Sequence, residues 1–95
     1  MIIYLKKFGD KLMSRSTGRE AFLAMSAYLI KDLKKTELIE IDFEGVKVLT
    51  PSWADEVITK LIEKFKNIKL VNTDNVTVQA TFKILKEYSN LKEIL

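Results

Sequence analysis

Residues 39–65 read IEIDFEGVKVLTPSWADEVITKLIEKF, and this stretch decides the fold. Ile39, Ile41 and Phe43 alternate with Glu40 and Asp42, the period of a β-strand, so a strand is expected over 38–43. Gly45 interrupts the pattern, and Val46, Val48 and Leu49 lead to Thr50-Pro51-Ser52. Proline suits the first helical position, where its missing N–H is an orphan anyway. Thr50 can cap the helix, and Ser52 followed by Asp55 offers a competing cap. Trp53, Ala54, Val57, Ile58, Leu61, Ile62 and Phe65 then form one stripe of an α-helix, predicted over 51–66. Trp53 opens that stripe, which favours a core position for it.

Polar groups therefore gather where a strand ends and a helix begins. Free backbone N–H groups at a helix start can meet an anion or a partner's acceptor. In α/β sheets, ligands bind at the carboxyl ends of strands. The plainer alternative is that Thr50 and Ser52 only cap, and that Asp55 and Glu56 only favour the positive helix end.

Outward from this stretch, Ile2–Phe8 reads as a strand, Gly9-Asp10 as a turn, and 11–14 as a short returning strand that would make a hairpin. Thr17 and Glu20 have capping-box spacing, so a helix is predicted over 17–35. Its buried stripe is Ala21, Phe22, Met25, Tyr28, Leu29 and Leu33. Ile68–Val71 is a short apolar strand. The turn formers Asn72-Thr73-Asp74-Asn75 precede a third helix, over 75–88, marked by Val78, Thr81, Phe82, Leu85 and Tyr88. Ser89-Asn90 breaks it, and Leu91–Leu95 reads as a tail that docks as a last helical turn. Strands alternating with helices make this an α/β chain: a single domain over residues 1–95, with a small, mostly parallel sheet and three helices packed on it. The deepest positions are expected at Phe22, Leu29, Ile41, Phe43, Val57 and Leu61.

Composition narrows the chemistry. The 95 residues contain no cysteine and no histidine. Zinc and most transition-metal sites need one or the other, so no metal is expected. The commonest general base is also missing. Gly9, Gly18 and Gly45 are the only glycines, at neither P-loop nor dinucleotide spacing, so no nucleotide cofactor is expected. The net charge of +3 comes from lysines spread along the chain; Arg15 and Arg19 are the only arginines. A nucleic-acid footprint would concentrate its charge, so nucleic acid is not an expected partner. No apolar run approaches the ~20 residues of a membrane span. Met1–Leu5 meets Lys6-Lys7 at once, in the wrong order for a signal peptide, which points to the cytoplasm.

Ile41–Val46 followed by Val48–Glu56 resembles the STAS-like family of unknown function. That family shows an "SR" pair ahead of its first helix and then a "DFxGV…SSFADE" signature. Here Ser14-Arg15 match the first and 42–56 the second. More widely, the stretch resembles the STAS domain of sulfate transporters and anti-sigma-factor antagonists. The Asp-Ser-Ser/Thr-Gly of the antagonists falls on Thr50, Pro51, Ser52 and Trp53. The resemblance implies a small non-enzymatic regulatory module that docks a protein partner, a GHKL-type kinase or anti-sigma factor, and is switched by phosphorylation in this motif. The usual acceptor column holds Pro51, which leaves Ser52 and Thr50 as the hydroxyls able to take a phosphate.

The expected working surface is thus the helix start at 50–56, with Ser14, Arg15, Thr50, Ser52, Asp55 and Glu56. A phosphate there is tolerated by the helix end but puts charge into a docking face. The alternative is a small-ligand-binding protein or an enzyme, with Arg15 as anion clamp, Ser52 as nucleophile and Asp42, Asp55 and Glu56 as acids or bases. Residues 55 and 56 project about 100° apart on a helix and cannot share a proton. A deep polar pocket joining Arg15 and Ser52 would favour this alternative.

Overall fold

Central to the fold is β3 (Leu38–Asp42), flanked on both sides by parallel partners, β1 (Ile2–Tyr4) and β5 (Asn67–Val71). The computed structural model describes residues 1–88. Ile3 stands beside Ile41, and Ile41 beside Leu70. The alternation in sequence becomes an alternation of faces. Ile3, Ile39 and Ile41 are fully buried, while Ile2, Tyr4 and Leu38 point the other way and are exposed. Helices α1 (Arg15–Tyr28), α2 (51–64) and α3 (Val76–Tyr88) complete the domain. The architecture is the small, mostly parallel α/β domain that the alternation of elements implies.

The second helix begins as expected. Thr50 is the N-cap and Pro51 the first helical residue. The helix is α-helical over Pro51–Ala54, opens into a π-helical turn over Asp55–Thr59, and is α-helical again over Lys60–Lys64. Trp53 is buried at its start, as the apolar stripe suggests. Val57, Ile58 and Leu61 follow it into the core. The third helix packs beside them, and the rings of Phe43 and Phe82 meet edge to face at 5.3 Å. The side chain of Asn75 fastens its start, accepting from the backbone of Thr77 and Val78.

The chain departs from the sequence expectations in its first strands, in its first helix and at Tyr88. The first strand ends at Tyr4, and Leu5–Phe8 forms a 3-10 turn instead. No hairpin follows. β2 (Lys11–Leu12) pairs in parallel with β4 (Val48–Leu49). The reason lies in the backbone partners: Lys47 and Val48 both donate to the carbonyl of Asp10, and Thr50 donates to that of Leu12. The segment before the first helix is thereby captured by the segment before the second.

The first helix spans 15–28 rather than 17–35. Ser14 caps it, its hydroxyl accepting from the backbone of Thr17, so the capping box at Thr17 and Glu20 is not the start. Leu29 and Ile30 both donate to the carbonyl of Met25, which closes the helix. Ile30 then drops into the core.

The helix is also rotated. Its buried face is Gly18, Ala21 and Met25. Phe22 and Leu29, expected to be deeply buried, are only half-buried at the margin, and Tyr28 is 86% exposed. Phe22 lies instead beneath the Lys60 ammonium, 5.4 Å from its ring centre. Tyr88 of the third helix is likewise exposed. The expected break at Ser89-Asn90 and the tail 91–95 lie outside the described residues.

Candidate functional site

The start of α2 is tied down by Thr50. Its hydroxyl donates to the carbonyl of Met13 at 2.6 Å and accepts from the backbone of Trp53 at 3.5 Å. One side chain thus closes the helix and anchors it to the end of β2. Ser52 does not compete for the cap. It is exposed, and its side chain makes no hydrogen bond to a described residue. The two hydroxyls of the motif therefore differ: one holds structure and the other is unengaged. Ser14 is also committed, as the cap of α1, with its hydroxyl 2.9 Å from that of Thr17.

One turn further on, α1 and α2 meet through charge. Arg15 reaches Asp55 at 3.0 Å. Glu56 is 7% exposed, so its charge needs partners. It has three: Lys60 at 3.1 Å, Arg19 at 3.3 Å and Arg15 at 3.8 Å. The hydrogen bond from Lys60 and the positive charge of Lys60, Arg19 and Arg15 hold the Glu56 carboxyl below its ordinary value, against the opposing effect of burial. Arg15 and Arg19 are one helical turn apart, as are Glu56 and Lys60, and each pair presents its charges on one side of its helix. The π-helical turn carries both Asp55 and Glu56, and π turns of this kind recur at functional sites.

Arg15, Ser52 and Asp55 line one side of a cleft of about 300 Å³, together with Pro51. The other side is apolar, from Ile84, Leu85 and Tyr88 of α3. The volume is at the small end of the range for ligand pockets, about 300–1,000 Å³. Of the six residues expected at the working surface, Arg15, Ser52 and Asp55 face this cleft. Glu56 stands behind Arg15, while Ser14 and Thr50 hold the helix starts on which the others sit. Asp42 is elsewhere, accepting from Asn72 and from the backbone of Glu44. Sequence reasoning missed Arg19 and Lys60 as partners of Glu56, and α3 as the far wall. The four-residue spacings 15/19 and 56/60 were a usable signal for the charges; nothing local announced the wall.

The family model for the STAS-like domain of unknown function matches residues 27–78, more than half of the chain. The chain belongs to that STAS-like family. The match includes the whole Asp42–Glu56 motif, and with it the Thr50–Glu56 helix start of this STAS-like domain. Ser14 and Arg15 lie outside it, and the fold brings Arg15 to the motif through Asp55. Neither a curated protein nor a solved structure matches the chain. Among the described residues, no cluster of His, Cys, Asp and Glu is placed to hold a metal ion. Nor, among them, is any helix long and apolar enough to cross a membrane.

Proposed function

We propose that this STAS-like domain is a non-enzymatic regulatory module of the cytoplasm. It docks a protein partner, a GHKL-type kinase or anti-sigma factor, over the start of α2, and Ser52 is its switch. The observation that carries this reading is the contrast at the motif. The Thr50 hydroxyl is held by Met13 and Trp53, while Ser52 is exposed and unengaged on the rim of a cleft. A charge added at Ser52 meets the positive end of a helix, where it is tolerated or favourable by about 0.3–1 kcal/mol. It also enters the docking face. Stability and binding should therefore move apart.

The test is a thermal melt and a titration with a GHKL-type ATPase from the same cell, on two variants. Ser52→Asp is expected to melt close to the unmodified protein and to bind far more weakly. Ser52→Ala should keep both properties, since its hydroxyl caps nothing. Equal binding by Ser52→Asp would end the switch reading.

A second reading, small-ligand binding or catalysis, draws on the cleft itself, which joins Arg15 to Ser52. Its weakness is proton chemistry. Glu56 is pinned as a carboxylate by cations, Asp55 is paired with Arg15, and the chain has no histidine to activate Ser52.

A further inference from the structure

We infer that the cleft between α2 and α3 receives a partner segment in which a carboxylate side chain stands next to a large apolar one. This rests on the docking reading above and names the chemistry of the partner.

Charge complementarity carries the inference. Among the described residues, three cations, Arg15, Arg19 and Lys60, face two carboxylates, Asp55 and Glu56, which leaves one positive charge in surplus there. Lys60 and Arg19 make the two shortest contacts to Glu56. Arg15 uses a single nitrogen, Nη1, for both Asp55 and Glu56. Among the described residues, its Nη2 and Nε have no acceptor within salt-bridge or hydrogen-bond distance, and the side chain is 49% exposed. A guanidinium binds a carboxylate best through two parallel N–H groups, and that edge is the one left over. The opposite wall is apolar, with Ile84 at 40% exposure and Tyr88 at 81%. A segment filling the cleft must satisfy both walls. An acidic residue beside a Leu or Phe does so, and the small volume suits one such pair of side chains.

The same geometry explains how Ser52 could act as a switch. Ser52 and Arg15 line one cleft. A negative group on residue 52 would compete in cis for the Arg15 edge that the partner's carboxylate needs.

The experiment uses the full chain, labelled with ¹³C and ¹⁵N, and two probes: N-acetyl-Phe-Glu-amide and its isostere N-acetyl-Phe-Gln-amide. The acidic probe is expected to shift the Arg15 Nε–H, the Ser52 amide and the Tyr88 ring along one saturable curve. The Gln probe should bind at least about fivefold more weakly, as loss of a charge-assisted pair requires. Arg15→Gln should erase the difference between the probes, Arg15→Lys should restore part of it, and melts confirm that both variants fold. Ser52→Asp should weaken the acidic probe and leave the Gln probe unchanged. Equal binding of the two probes, or no saturation by the acidic one, overturns the inference. So does a free-chain Arg15 Nε–H that is already protected and is released by Glu93→Gln, which would make the chain's own end the occupant. A concentration-dependent rise in sedimentation rate that Arg15→Gln abolishes would assign the cleft to a second copy, with the same consequence. The probes are tested without the partner, so their failure leaves the Ser52→Asp result on the partner standing, and the converse holds.

Discussion

A Cβ atom built on Gly18 would stand 2.9 Å from the carbonyl oxygen of Trp53 and 3.1 Å from the Cβ of Glu56. The first two helices therefore touch backbone to backbone at this point. That closeness sets Arg15 and Arg19, on either side of Gly18, over Asp55 and Glu56.

Gly18→Ala measures the contact directly. Alanine in a helix interior gains about 1 kcal/mol over glycine. Here the added methyl meets a carbonyl of a neighbouring helix, which cannot rotate away as a side chain would. Overpacking of this kind costs about 1–3 kcal/mol, so the expected net effect is a loss of stability in urea titration. A gain would show that the helices can part freely, and would weaken the account of Arg15 and Arg19.

Glu56 should make stability depend on pH in one direction. Its folded value lies below the ordinary 4.5, chiefly through Lys60. An acid whose value falls on folding adds stability that is fully present above the unfolded value and is lost as pH drops through the folded one. The difference in unfolding free energy between the unmodified protein and Glu56→Gln should be constant above pH 4.5 and shrink below it. Urea titrations of both proteins near pH ~7 and pH ~3.5 check this. A difference that is the same at both would mean Glu56 is not held as a carboxylate.

The hydroxyl oxygen of Thr59, in the π-helical turn, is buried with no hydrogen-bond partner among the described residues. Leaving such a group unsatisfied costs about 1–3 kcal/mol, and an apolar group of the same shape can be neutral or stabilising. Thr59→Val is therefore expected to hold or raise the melting temperature. A clear fall would mean that the hydroxyl has a partner in solution.

The core residues should rank by their observed depth. Leu61 is fully buried, and Leu61→Ala should cost about 2–5 kcal/mol. Phe22 sits at the margin under Lys60, so Phe22→Ala should fall below the ~3–5 kcal/mol typical of a buried phenylalanine. Denaturant titration of the two variants tests the rotation of α1, because the opposite order would place Phe22 inside.

What the residues by themselves determined is local. The two-residue alternation of 39–43, Pro51 after a capping threonine, and the apolar stripes of the second and third helices each depend on neighbours within a few positions. The strand, the helices, their order and the α/β class were legible for that reason. Tertiary structure decided the rest. Lys11–Leu12 turned to Val48–Leu49 because distant carbonyls and N–H groups offered a better pairing than a hairpin. Helix α1 ended early, dropped Ile30 into the core and left Phe22 and Leu29 at the margin, because its close approach to Trp53 selects the face bearing Gly18. The polar half of the site was legible from its motif, while its charge network and apolar wall were not. Arg15 lies 40 positions from Asp55, and Ile84, Leu85 and Tyr88 lie further along the chain than either. No period or cap encodes such pairings; they exist only once the helices have packed.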